Sequence, residues 1–171
     1  LPGFLEAAMR AALAQLFKRD LEALAREVQS YPDDAALWLS FEPLPNPGGN
    51  LVLHVCGNLN HYVGAVLGKT GYVRNRPAEF DSKDLIRVDL VDRLEQTAAT
   101  VERVLLSLED PALDRLYPEQ VFGHPMSTEW FLLHLYGHLR YHAGQVNYHR
   151  RWAVTSRARG ESRSLPLCGD S

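Results

Sequence analysis

The chain has 171 residues, a formal net charge of −3 at pH 7 and 46% hydrophobic residues, which is typical of a single globular domain. It carries no basic block of the kind that binds phosphate backbones, so we expect neither DNA nor RNA as a partner. No apolar run approaches the ~18–20 residues needed to cross a bilayer. We therefore expect a cytoplasmic protein that does not contact membranes.

Apolar residues recur at three- and four-residue steps in four stretches, and this spacing predicts four amphipathic helices. The predicted helices span about residues 4–29, 50–67, 84–108 and 127–152. A short extra turn is expected at residues 33–38, and the two longer connections, 69–83 and 109–126, are expected to be loops. Because no stretch alternates with the period of a β-strand, the predicted fold class is all-α, a four-helix bundle.

The bundle domain is predicted to cover residues 1–154, and a polar tail without apolar periodicity, residues 155–171, is expected to be disordered. The two cysteines, Cys56 and Cys168, lie in very different contexts and do not indicate a disulfide. Cys56 follows His54 by two residues, about 200° around a helix, so it should point away from a site that His54 faces. We expect Cys56 to be a small core residue.

Three of the seven histidines recur at four-residue steps on the last predicted helix: His134, His138 and His142. Neighbouring members of this row lie on one helix face, and imidazole is the commonest protein ligand of transition metals. The first and third are ~12 Å apart along the helix axis, too far to share one ion at Zn–N distances of ~2.1 Å. The helix is therefore expected to supply two ligands, either His134 with His138 or His138 with His142.

A third ligand would come from another helix, and the second predicted helix carries two histidines, His54 and His61. They are ~10 Å apart along the axis, so only one of them should reach the metal. The glutamate of zincin motifs and the Glu-x-x-His pairs of di-iron bundles are both absent. The competing interpretation is that each histidine is an ordinary hydrogen-bonded residue. A row of three weakens it, because burying several unpaired imidazoles costs desolvation free energy.

Three segments occur in an order that resembles a known family: NLVLHVCGNL at residues 50–59, RNRPAEF at residues 74–80, and His138-x-x-x-His142-x-Gly144-Gln145. Together, over about residues 4–152, they resemble the DinB/YfiT-like superfamily. The likeness is greatest to its uncharacterised subgroup with a His-Leu-x-Gly-Asn-Leu segment. The resemblance implies a four-helix bundle, often a homodimer, with one divalent metal held by one histidine of the second helix and two of the fourth.

Carried over by motif, the metal ligands implied by the resemblance are His54, His138 and His142. Four further residues are then expected to orient the ligands or line the pocket: His134, Asn58, His61 and Gln145. Relatives with known activities resemble thiol-dependent enzymes, among them bacillithiol S-transferases and mycothiol-dependent maleylpyruvate isomerases.

We therefore expect a metal-dependent enzyme, most similar to a thiol S-transferase or a hydrolase, with zinc or nickel as its cofactor and a low-molecular-weight thiol as cosubstrate. No acidic residue stands at an obvious general-base position, which favours the thiol over water. Arg74, Arg76 and Arg140 are candidate contacts for an anionic cosubstrate, and Glu79 would line the pocket or pair with an arginine. The alternative is a non-catalytic metal-binding or stress-associated bundle, whose structural site would be closed by a fourth protein ligand. A third interpretation is a helical scaffold whose histidines bind nothing.

Overall fold

The computed structural model of the protein describes residues 2–42 and 44–158, with side chains from Leu5 onward. Its five α-helices are α1 (Pro2–Gln29), α2 (Gly48–Leu59), α3 (Arg76–Asp81), α4 (Arg87–Ser107) and α5 (Thr128–Ala158). Helix α2 continues directly into a π-helical segment, Asn60–Leu67, and a 3₁₀ turn covers Ala35–Trp38. The described residues contain no β-strand, so the all-α prediction is confirmed.

The core lies between α1, α2, α4 and α5, with α1 packed along α4 and α2 packed along α5. Apolar residues at helical spacing fill it, among them Leu13, Phe17, Leu21, Leu90, Leu94, Val101, Leu105, Leu132, Leu135 and Leu139. The apolar periodicity predicts burial near the starts of two helices, where the side chains are in fact exposed. Leu5 is 68% exposed and Ile86 is 47% exposed. No helix in the described ranges is both long and apolar enough to cross a membrane.

Helix α3 lies within a connection that the periodicity predicts to be a loop. Asn75 caps it, because its side-chain oxygen accepts a hydrogen bond from the backbone N–H of Ala78 at 3.2 Å. Pro77 stands in the first turn, where its missing N–H costs nothing. The prediction was wrong here because six residues are too few to show an apolar period.

Helix α5 ends later than the periodicity predicts. It continues to Ala158, so the first four residues of the predicted tail are helical. The rest of that segment, including Cys168, lies outside the described residues.

Helix α2 begins at Gly48, two residues before the predicted start, and all twelve of its residues are buried. A Cβ atom on Gly48 would overlap the hydroxyl of Tyr31, and one on Gly49 would overlap the ring of Trp38. The two glycines therefore let α2 start directly against the end of α1 and the 3₁₀ turn. This start carries His54 into the middle of the bundle.

Candidate metal centre

One face of α2 holds α3 in position. Asn50, His54 and Gly57 share this face, because they are spaced by four and three residues. The side-chain amide of Asn50 donates hydrogen bonds to the carbonyl oxygens of Glu79 and Ser82, both at 2.9 Å. A Cβ atom on Gly57 would overlap the carboxylate of Glu79. Glycine at this position therefore lets the Glu79 side chain lie against α2, beside His54.

The side chain of His54 meets two histidines of α5. Its Nε2 lies 3.2 Å from Nε2 of His138, which in turn lies 3.1 Å from Nε2 of His142. One nitrogen of each ring lies within 4.8 Å of the other two, and this group could hold a metal ion. Of the two pairs that the spacing on α5 left open, the structure thus brings His138 and His142 together, and His54 joins them from α2.

Outer hydrogen bonds fix the ring orientation of two of these histidines. Nδ1 of His54 lies 2.9 Å from Oε2 of Glu79, and Nδ1 of His142 lies 2.7 Å from Oε1 of Gln145. Both partner oxygens are acceptors, so each Nδ1 carries the proton and donates it. The Nε2 atoms of His54 and His142 are then left with free lone pairs that face the third imidazole.

The spacing of the three nitrogens fits a bound cation. Nε2 of His138 can donate a proton to only one of its two neighbours, so at least one contact near 3.1–3.2 Å joins two lone pairs. Two nitrogens bound to one zinc ion at ~2.1 Å are about 3.4 Å apart at a tetrahedral angle. A divalent cation would therefore replace a lone-pair repulsion by coordination, with little movement of the side chains.

Burial favours the neutral form of the two triad histidines on α5, which is the form that binds metals. Burial raises the pKa of Glu79, but hydrogen bonds from His54 and Arg74 outweigh it and hold that pKa below its usual range. Burial, reinforced by His142, lowers the pKa of His138 to about 3. The pKa of His142 is also lowered by burial. His138 and His142 are therefore neutral at pH 7, as metal ligands must be.

The triad offers three candidate protein ligands, and no fourth candidate joins them among the described residues. The cluster of candidate metal-binding side chains contains only these histidines. Cys56, the nearest cysteine in sequence, is buried in the core as predicted, and burial raises the pKa of its thiol to about 11. Three ligands with an open position are typical of catalytic rather than structural zinc sites.

Two of the other predicted site residues, Gln145 and His134, lie next to the triad. Gln145 contacts His142 directly. His134 lies one turn before His138, with ring centroids 6.4 Å apart, and stacks on Trp130. It is therefore a neighbour of the triad.

His61 and Asn58 do not contact the triad through hydrogen bonds in the described part of the chain. His61 Nε2 lies 3.5 Å from a carboxylate oxygen of Glu119, and its ring packs edge-on against Tyr62. Asn58 is buried, and its Oδ1 has no hydrogen-bond partner there. These contacts favour a structural or pocket-lining role for His61.

A model of the DinB superfamily matches residues 8–146, a range that contains all three histidines of the triad. The chain belongs to the DinB superfamily. No curated protein matches it. Since the match runs from the first turns of α1 to beyond Gln145, the DinB domain includes the whole candidate metal centre.

Two of the candidate anion-binding arginines of this DinB protein are engaged in ion pairs. Arg74 donates to both oxygens of Glu79, at 2.7 and 2.9 Å, which fixes the carboxylate that orients His54. Arg140 lies 3.3 Å from the buried carboxylate of Asp20. The guanidinium of Arg76 lies over the ring of Phe80, 5.6 Å from its centroid. Pairing with an arginine is one of the two roles expected for Glu79, and the contact with Arg74 shows it.

Sequence reasoning missed that Glu79 is the partner of His54. The available signal was the rule that metal-bound histidines usually donate their second N–H to a carboxylate or carbonyl oxygen. A glutamate next to the motif-matched arginines was the natural candidate for that acceptor. The outer partner of His142 was easier to identify, because Gln145 lies three residues further along the same helix face.

A second buried histidine gives the apoprotein a pH-dependent stability. Nε2 of His149 donates to the carbonyl oxygen of Leu39 at 2.9 Å, and its Nδ1 accepts from the hydroxyl of Tyr31 at 2.8 Å. Burial lowers the pKa of His149, so below about pH 6.5 the unfolded chain binds this proton more readily than the folded chain. The contribution of His149 to the free energy of unfolding is therefore fully present above pH 6.5. Below that pH it decreases by up to about 1.4 kcal/mol per pH unit.

We expect His149→Gln to reduce that slope, because glutamine can make both hydrogen bonds without titrating. The measurement is urea unfolding of the metal-free wild type and variant between pH 5 and 7.5. Equal slopes for the two proteins would contradict the assignment.

Proposed function

We propose that this DinB protein is a metal-dependent enzyme that joins a small thiol, through its sulfur, to an electrophilic substrate. The observation that carries the proposal is the convergence of three imidazole nitrogens without a fourth protein ligand among the described residues. A structural site would be closed by four ligands, whereas this arrangement leaves one position for a substrate.

A zinc or nickel ion at the triad would lower the pKa of a thiol or water bound beside it. In the proposed reaction the thiol sulfur forms a bond to an electrophilic carbon, the bond from that carbon to its leaving group breaks, and the thiol proton departs with the leaving group. The protein's part is to present neutral imidazoles. Glu79 and Gln145 keep the proton of His54 and His142 on Nδ1, away from the ion.

The surroundings of Glu79 support a thiol rather than water as the nucleophile. Hydrolysis usually needs a general base within hydrogen-bond reach of the attacking water. Glu79 is the carboxylate that lies against the triad, yet its two oxygens already accept from Arg74 and His54, and its pKa lies below the usual range. A thiol needs less help, because its pKa of ~8.5 is already close to neutral.

The test is a screen of small thiols against electrophiles with the metal-loaded protein. We expect a chelator to reduce turnover at least about a hundredfold, and added Zn²⁺ or Ni²⁺ to restore it, since metal activation contributes several kcal/mol. His142→Ala should be inactive under the same conditions, whereas His134→Ala should retain activity. Turnover that is insensitive to the chelator would refute a metal-dependent enzyme. Stoichiometric metal without any turnover would favour the non-catalytic metal-binding bundle.

A further inference from the structure

Helix α5 carries an exposed, largely aromatic stripe along most of its length. The members of the stripe recur at steps of four and three residues, the spacing of a coiled-coil seam, and lie within about 80° of one another around the helix. All seven are exposed, and none is Asp, Glu, Lys or Arg: Trp130, His134, Gly137, Tyr141, Gly144, Tyr148 and Trp152. We call this stripe the α5 seam. Its four aromatic side chains are 49%, 64%, 73% and 58% exposed, in chain order.

Two glycines, Gly137 and Gly144, leave gaps in the α5 seam. Glycine within a helix is less stable than alanine, and neither of these two has a positive φ that would require it. Apart from the helix's own backbone and the adjacent residues, no described atom lies within 4 Å of the Cβ position at either glycine. In packed helices, such gaps between large side chains receive the side chains of a facing helix. Here the described chain supplies no facing helix, so the partner would be a second molecule.

The order of side-chain sizes in the α5 seam is nearly the same in both directions from Tyr141. Each direction meets first a glycine, then a histidine or tyrosine ring, and last a tryptophan. An antiparallel second copy, related by a two-fold axis at Tyr141, would place each Tyr141 between Gly137 and Gly144 of the other copy. Trp130 would then face Trp152 of the other copy. A two-fold interface must be complementary to itself, and the seam has this property.

We infer that two copies of the chain associate through the α5 seam, antiparallel, about a two-fold axis at Tyr141. The family resemblance implies a homodimer but no surface for it, whereas the face, the direction and the register follow from the order of side chains on α5. The inference does not depend on the proposed function, because none of the triad histidines belongs to the seam.

The size of the α5 seam suits a stable dimer. At their exposed fractions, the four aromatic side chains present roughly 400–600 Å² of surface. Leu44 and Leu133 lie beside the seam, are 46% and 49% exposed, and bring the total towards the ~800 Å² per partner of standard interfaces. Tyrosine and tryptophan are also enriched at such interfaces. Arg140, on the flank near the axis, lies 3.3 Å from the carboxylate of Asp20 in its own chain, so its charge is compensated.

The first test is the mass of the protein in solution, measured by sedimentation at micromolar concentration. We expect a dimer for the wild type and a monomer for Tyr141→Arg, because two arginines would meet at the axis. The loss of two central tyrosines should weaken association by at least about a hundredfold. The matched control is Leu106→Arg, which adds the same charge at a 56% exposed apolar residue of α4 and should stay dimeric. Both positions are exposed, so both variants should fold as the wild type does.

The second test measures direction and register by disulfide cross-linking under oxidising conditions. The background variant is Cys168→Ser, since the other cysteine, Cys56, is buried. Tyr141→Cys should cross-link with itself, because both copies of this residue lie at the axis. Trp130→Cys should not cross-link with itself, because its two copies would be ~33 Å apart, far beyond the reach of a disulfide. A mixture of Trp130→Cys and Trp152→Cys should form the mixed dimer.

Several results would overturn the inference. One is a wild type that is monomeric at micromolar concentration. Another is a dimer that survives Tyr141→Arg, which would lie on a different face. A dimer that Leu106→Arg dissociates equally would show that added charge, not the seam, controls association. Cross-linking of Trp130→Cys with itself would indicate parallel copies and exclude the two-fold axis at Tyr141.

Discussion

His138→Ala is expected to lower the affinity for Zn²⁺ or Co²⁺ by more than about a hundredfold, beyond the effect usual for residues outside the coordination shell. His138 is the middle member of the triad, since its Nε2 lies within 3.2 Å of the corresponding nitrogen of both His54 and His142. Removing it leaves one nitrogen on each of two helices, and two ligands seldom hold a divalent ion against water. The measurement is Co²⁺ titration, together with metal analysis of the purified protein.

The control for this variant is His134→Ala. His134 is exposed, lies on the same helix and is one turn from the triad, so its loss should change metal affinity less than about tenfold. Retention of stoichiometric metal by His138→Ala would refute the ligand set. Equal losses of metal affinity in the two variants would also contradict it, because His134 would then contribute as much to metal binding as His138.

Gly57→Ala should weaken metal binding by about 10- to 100-fold without replacing any ligand. The new methyl group would occupy the position of the Glu79 carboxylate, which is the flexible end of a side chain and can swing away. In doing so it would lose its hydrogen bonds to His54 and Arg74. We also expect a loss of about 1–3 kcal/mol in the free energy of unfolding, because the displaced carboxylate is buried and crowded.

Gly64→Ala is the matched control, since Gly64 lies further along the same continuous helix. The closest atoms to its Cβ position are side-chain atoms of Thr70 and Thr100, at 3.3 and 3.4 Å, so small adjustments suffice. Metal affinity should stay within about threefold of the wild type there. Unchanged affinity in Gly57→Ala would show that Glu79 does not orient His54.

The sequence was sufficient for the fold wherever a helix buries one face for several turns. Leu90, Leu94 and Leu105 repeat at helical spacing because α4 packs along α1, and the buried face follows from the period. Ile86 breaks the agreement because it is the extended N-cap residue of α4 rather than part of the helix. The start of α3 is marked by its capping residue, Asn75, which the periodicity of apolar residues does not reveal.

The candidate site was predictable only up to the limits of helix geometry. The spacing of the histidines showed that α5 could supply two ligands. The choice between the two possible pairs depends on where His54 lies across the bundle, and tertiary structure determines that position. The same holds for Glu79. Its position beside His54 depends on Asn50 holding the α3 backbone and on Gly57 leaving room, and both contacts join residues more than twenty positions apart. The order of the three motifs, through the family resemblance, indicated the ligand set that helix spacing alone left open.

Helix α3 has only six residues, far fewer than a helix needs to persist alone in water. It is held by Asn50 and by the pairing of Glu79 with His54 and Arg74, so its order depends on the same imidazole that would bind an ion at the triad. Binding linkage is reciprocal. If an ordered α3 increases the metal affinity of the triad, a bound ion must stabilise residues 76–81 against local unfolding by the same free energy. The metal affinity of the triad and the stability of this short helix against local unfolding therefore report one coupling free energy.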